Sequence, residues 1–270
     1  MPSPQAFRDS PVPRTFDDAG YFICRGLVTA EQTEAIRQGL MRKASEVAAS
    51  GDYGRDKILE DGAKASPDSV PLHERFRKLN QLDLLPELWN HWYAGAPVLE
   101  VVRHFLGDDI LRKYASAFLK PARIGGATPW HQDIGLWRDR NDDAMNGWLA
   151  IDASTQANGC LQVVPGSHLG PILEHVEYED SIHAELPRDR CNDLSVEYVE
   201  LQPGDAVFWH SRLWHYSAPN RSETGRIGVG AVWVNPAQIS QLTTAKRLRW
   251  AMRTGRILPH PAPELIVTTD

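Results

Sequence analysis

Residues 148–165, WLAIDASTQANGCLQVVP, decide how the chain is read. Two β-prone runs, WLAIDASTQ and CLQVV, flank Asn158-Gly159, a dipeptide well suited to a two-residue hairpin turn. The spacing predicts a hairpin there, and the surrounding sequence repeats the same texture. Segments around 111–120, 127–134, 147–155, 160–165, 198–202, 205–210 and 226–234 are short and strand-like, separated by turn signals such as Pro203-Gly204-Asp205. Many short strands at this spacing predict a sandwich or barrel.

Upstream the texture is helical. Gly20-Tyr21-Phe22-Ile23-Cys24 reads as a short strand. Thr29, with Gln32 three residues on, reads as the capping box of a helix. Ala35, Ile36, Leu40 and Val47 give that helix one apolar face. Residues 50–71 are Gly/Asp/Ser-rich and irregular, and a second helical stretch over 83–106 breaks near Gly95-Ala96-Pro97. Residues 1–14 are Pro-rich and expected to form a loose arm, with 15–270 as one domain. The fold class that follows is α+β, mainly β: a jelly roll buttressed by N-terminal helices.

Composition narrows the partners. The chain has 270 residues, 42% of them hydrophobic and 24% charged, as expected for a globular enzyme. Its net charge is -6, and no basic stripe with interleaved aromatics is present, which argues against nucleic acid. No apolar run is long enough for a membrane span or a secretory signal. Cys24, Cys160 and Cys191 are scattered and form neither a metal clip nor a disulfide framework. A cytoplasmic protein acting on a small molecule is the expectation.

The chemistry rests on a histidine and a carboxylate two residues apart. On a strand such a pair shares one face and can grip one metal ion. A second histidine completes a two-His, one-carboxylate set that suits ferrous iron and leaves positions open. The two-residue pattern is weak alone: composition supplies about one such pair by chance, and the chain contains three, His131-Gln-Asp133, His175-Val-Glu177 and His183-Ala-Glu185. The last two lie in the charged stretch LEHVEYEDSIHAE, read as a solvated loop or lid. His131 lies in Thr128-Pro-Trp-His-Gln-Asp133, at an aromatic-flanked strand end. For the second histidine, His210 and His215 are both candidates. His215 is favoured because Arg226 follows and opens the strand Arg226-Ile-Gly-Val-Gly-Ala-Val-Trp233. Arg226, Gly228 and Gly230 share a face there, and the glycines are expected to leave room for a ligand whose carboxylate meets the guanidinium. Arg221 is the rival.

The segments Lys120-Pro121, Thr128–Asp133, Asn158-Gly-Cys-Leu161, Pro165-Gly-Ser-His168, Pro203-Gly-Asp205 and His215–Ser222 through Arg226 together resemble the phytanoyl-CoA dioxygenase family, over roughly 15–235. The resemblance implies a double-stranded β-helix (cupin-like) fold and iron held by His131, Asp133 and His215. It also implies that Arg226 receives the far carboxylate of 2-oxoglutarate, with Ser217, Lys120 and Trp148 as further contacts to that co-substrate. Dioxygen is the oxidant it implies. One branch of the family replaces the acidic ligand with a small residue so that chloride binds iron. Asp133 is present here, so hydroxylation or a related oxidation is expected rather than halogenation.

Two other classes stay open: a cupin-type metalloenzyme that does not use 2-oxoglutarate, and a non-catalytic binding protein on the same fold. For the substrate, Trp137, Arg138, Arg55, Lys57, His73, Arg188 and Arg190 are candidate lining residues. A free small metabolite or natural-product intermediate is favoured over a CoA thioester, because the chain offers no evident basic groove for a nucleotide diphosphate.

Overall fold

The computed structural model describes residues 12–51, 57–59, 75–80, 82–137, 144–239 and 248–261. Helix α1 (Val12–Ala19) starts inside the segment expected to be a loose arm. Its Phe16, beyond that arm, packs 4.6 Å from Phe105. Strand β1 (Tyr21–Cys24) leads into α2 (Ala30–Ser50). The capping box is present as read: the Thr29 hydroxyl accepts from the Gln32 amide at 3.2 Å, and Gln32 Oε1 accepts from the Thr29 amide at 3.0 Å. Ile36, Leu40, Ala44 and Val47 are its buried stripe.

Strand β2 (Lys57–Leu59), inside the region expected to be irregular, pairs with β3 (Phe76–Asn80) just beyond it. Then come α3 (Pro86–Leu88), a π-helical turn over Trp89–Tyr93, and α4 (Ala96–Leu106), with the break at Gly95 where the sequence places it. The remaining elements are β4 (Ile110–Lys120), β5 (Thr128–His131), α5 (Asp133–Leu136), β6 (Ala144–Ala150), β7 (Leu161–Val163), β8 (Glu197–Val199), β9 (Ala206–His210), β10 (His215–Ser217), β11 (Arg226–Val234), β12 (Arg249–Arg253) and β13 (Arg256–Ile257).

Two sheets face each other. The larger runs β1-β9-β6-β11-β4-β12-β13, with β3 also on β4 and β2 on β3; the smaller runs β5-β10-β7-β8. All of the strand pairings described are antiparallel. Alternation splits each large-sheet strand between two cores. One face packs on the helices through Trp92, Phe208 and Trp233, the Trp92 and Trp233 rings meeting edge-on at 5.3 Å. The other face, with Trp148, Val207 and Trp209, packs against Val163 of the small sheet.

Asn158-Gly159 does not close a hairpin. β6 pairs with β9 and β11, whereas β7 pairs with β10 and β8, so the turn carries the chain from one sheet to the other. The Asn158 side chain builds a wider turn instead: its Oδ1 accepts from the Thr155 amide at 2.8 Å and its Nδ2 donates to the Ala153 carbonyl at 2.9 Å. Gly159 has φ +77°, and a Cβ there would collide with the Ala218 carbonyl.

Candidate active site

β5 delivers His131, and the chain then turns into α5, whose first residue is Asp133. The carboxylate therefore reaches the histidine through a helical turn and not by strand alternation, as had been expected. His215 opens β10 and is the register partner of His131, so the third member arrives by direct strand pairing. The ring centroids of His131 and His215 are 4.0 Å apart. Nε2 of His131 is 3.6 Å from Oδ1 of Asp133, and Nε2 of His215 is 3.6 Å from Oδ2.

The tautomers are fixed from behind. Nδ1 of His131 donates to the Pro129 carbonyl at 2.8 Å and Nδ1 of His215 to the Leu213 carbonyl at 2.9 Å, which leaves both Nε2 lone pairs facing the carboxylate. Burial, followed by His131, pushes His215 down to about 4, so it is neutral at pH 7. Burial pushes the Asp133 carboxyl up, but His215, His131 and the Trp209 indole outweigh it and hold it below the usual carboxylate range. A lone pair of neutral His215 thus faces an ionised oxygen, an arrangement that a cation between them would stabilise. One ligand atom from each of the three residues lies within 4.8 Å of the others, a two-nitrogen, one-oxygen donor set that fits ferrous iron.

Two residues along β10 from His215, on the same face, Ser217 links this set to a buried cation. Arg226 Nη2 donates to the Ser217 hydroxyl at 3.1 Å and to the Gly159 carbonyl at 2.8 Å. Its Cζ is 5.0 Å from the Trp148 ring centre. Burial pushes Arg226 down to about 10, which still leaves it charged at neutral pH. Among the described residues no carboxylate lies within ion-pair distance of it. Lys120, its register partner on β4, donates to the Ser217 hydroxyl at 2.7 Å and to the Ala218 carbonyl. Two buried cations meet at one hydroxyl, a donor set that could hold a carboxylate.

The glycines of β11 serve a different purpose from the one expected. Space above Gly228 is filled by the Trp148 indole, and the ring edge of Phe118 lies over Gly230. They admit aromatic walls, and those walls leave the guanidinium facing Ser217. The stretch 173–185 is not simply solvated. His175 Nε2 accepts from the Gln132 amide at 3.0 Å, the His183 ring lies 4.9 Å from His131, and Glu185 is buried. Burial, followed by His131, pushes His183 down to about 3. Arg188 is locked to Glu185 at 2.6 Å and Asp180 at 2.7 Å, so it staples this loop; Arg190 is exposed, and so is Arg221. Arg55, His73, Arg138 and the side chain of Lys57 lie outside the described residues.

Two functional neighbours escaped the sequence reading. Gln132 is fully buried and ties Pro171, Leu173 and Arg212 together through its amide. Trp209 donates its indole N–H to Asp133. Alternation along AVFWH would have put Trp209 with Val207 on one face, but only sheet order reveals that this face looks onto the histidines.

This fold and donor set define a non-haem iron oxygenase that uses 2-oxoglutarate as co-substrate. The family model for phytanoyl-CoA dioxygenase (PhyH) matches residues 16–228, and the chain belongs to that family. It is 27% identical over 234 residues to a probable phytanoyl-CoA dioxygenase of Caenorhabditis elegans, covering 82% of this chain and 74% of that protein. It is 26% identical to a probable alpha-ketoglutarate-dependent hypophosphite dioxygenase of Stutzerimonas stutzeri, covering 79% and 74%. In fold it resembles the crystal structure of EvdO2 from Micromonospora carbonacea var. aurantiaca complexed with 2-oxoglutarate: TM-score 0.63, 23% identity, 86% of this chain and 94% of that one. Among the described residues no helix is long and apolar enough to cross a membrane.

Proposed function

We propose that this enzyme hydroxylates an unactivated C–H bond of a small metabolite, with His131, Asp133 and His215 as the iron ligands. In this reading Arg226, Ser217, Lys120 and Trp148 hold the far carboxylate of 2-oxoglutarate. The observation that carries it is the continuous link from His215 through Ser217 to Arg226: the hydroxyl that meets the buried guanidinium belongs to a residue two strand positions, about 7 Å along β10, from His215. That is a fitting span for a five-carbon diacid. A cupin that does not use 2-oxoglutarate would have no need to bury Arg226 and Lys120 there.

When bound, iron and 2-oxoglutarate supply the oxidising chemistry with dioxygen, the co-substrate ending as succinate and carbon dioxide. The protein supplies geometry. The Pro129 and Leu213 carbonyls hold the two imidazoles in one tautomer and one rotation. Arg226 and Lys120 draw the co-substrate carboxylate inward, while Trp148 covers the guanidinium and excludes water.

The names of the relatives span an acyl-CoA and a phosphorus oxyanion, so family membership alone does not fix the substrate. The wall of the site offers one clue. Asn146 sits directly across β6–β9 from Trp209, is 2% exposed, and its Nδ2 has no hydrogen-bond partner among the described residues. A substrate oxygen beside the oxidised carbon would satisfy it. A free small molecule fits an acidic chain better than a nucleotide-bearing thioester does, and a cytoplasmic setting fits its scattered thiols.

The test is anaerobic titration of the ferrous protein with 2-oxoglutarate, then a substrate screen that reads succinate release in air. A visible charge-transfer band on titration is expected. Alanine at His131, Asp133 or His215 should remove both the band and succinate formation, and full turnover by any one of the three would refute the reading.

A further inference from the structure

Trp209 stands on β9 with its indole against the donor set. Its Nε1 donates to Oδ2 of Asp133 at 2.9 Å, and its ring centre lies 5.3 Å from that of His215. The two oxygens of Asp133 are therefore not equivalent. Oδ1 faces His131, whereas Oδ2 faces His215 and also receives the indole proton.

A carboxylate can bind a cation through one oxygen or through both. A hydrogen bond to one oxygen takes up a lone pair there and fixes the rotation of the group about Cβ–Cγ. The indole N–H is suited to this task, because it donates only and does not titrate in the working range. Trp209 also packs beside Trp148 and Val207, but that packing needs only a ring and not the N–H.

We infer that Trp209 is a positioning residue of the metal centre. It holds Asp133 so that Oδ1 is the oxygen left for the metal, which keeps this ligand monodentate and leaves coordination positions for the co-substrate and dioxygen. The inference rests on His131, Asp133 and His215 being the metal ligands.

Cobalt(II) is the probe, an air-stable stand-in for ferrous iron whose visible d–d bands report coordination number. Wild type, Trp209→Phe and Asp133→Ala are titrated with cobalt(II) by calorimetry and absorption, with the thermal midpoint of each metal-free protein recorded. The Phe variant should bind cobalt(II) about 10- to 100-fold more weakly, as loss of a supporting hydrogen bond to a metal ligand does. Its d–d bands should move as the second carboxylate oxygen enters. A lost side-chain packing contact would shift the midpoint and leave the bands in place. Should the Phe variant fail to fold, Trp209→β-(3-benzothienyl)alanine, installed by nonsense suppression, replaces the N–H with sulfur at nearly unchanged volume and is read in the same way. Unchanged affinity and bands in the variant, with Asp133→Ala unable to bind, overturn the role of Trp209 alone. Wild-type binding by Asp133→Ala overturns the metal assignment beneath it.

Discussion

Arg226 shows how much of the site rests on single side chains. A guanidinium presents a planar fork to a carboxylate, whereas a lysine in its place presents a point charge. Hydrogen bonds to charged groups contribute about 1.5–3 kcal/mol each, so Arg226→Ala should raise the KM for 2-oxoglutarate by about 10- to 100-fold. Arg226→Lys should fall between the two, and cobalt(II) affinity should be unchanged in both. Steady-state succinate release against co-substrate concentration measures this. The thiols make a second residue-level prediction. Burial pushes Cys24 up to about 12, and burial with nearby carboxylates pushes Cys160 and Cys191 up to about 11. At pH 8 almost none is thiolate, so iodoacetamide should label the native protein far more slowly than the urea-unfolded chain, as read by mass spectrometry. Residue types were the most legible level of the sequence. The two histidines and the carboxylate lie together, and Arg226 meets Ser217 two residues along from His215. Trp209 and Gln132 were not legible, since each works through a partner that only the sheet order brings near.

Strands were legible one at a time and illegible in pairs. The alternation of β11 is visible in the sequence, but nothing local says that β6 lies on one side of it and β4 on the other. The Asn158-Gly159 turn misled for the same reason: turn chemistry reports a reversal and not the sheet in which the next strand lands. β10 has only three residues and a register irregularity against β5, too short for a periodicity signal. At this scale Gly228→Ala is a sharp test. In an open strand alanine would stabilise by roughly 0.5–1 kcal/mol, but here the new methyl meets the Trp148 indole. Overpacking costs about 1–3 kcal/mol, so the clash wins. The variant should unfold at lower urea and need more 2-oxoglutarate, because Trp148 is pushed off Arg226, while its metal affinity holds.

The molecule as a whole is a helical layer bolted to one face of the large sheet, with the chemistry on the other. Trp92 is the bolt, 5.3 Å from Trp233 and 5.9 Å from Phe208 and completely buried. Trp92→Ala should lower unfolding free energy by about 3–5 kcal/mol, measured by urea denaturation, and should do so without touching a ligand. The α+β division, helices first and strands after, was legible because hydrophobic period changes along the chain. The strands β2 and β3 were missed because their polar, Gly- and Asp-bearing surroundings mask a pairing that is settled by β4. His131 and His215 are neighbours only across the β5–β10 ladder, and the second of them enters the chain long after the first. A ribosome-bound fragment that ends before that ladder closes holds two of the three proposed iron ligands, His131 and Asp133. Loading should therefore wait until the smaller sheet has closed, and an iron-charged molecule carries its own certificate that this sheet has formed.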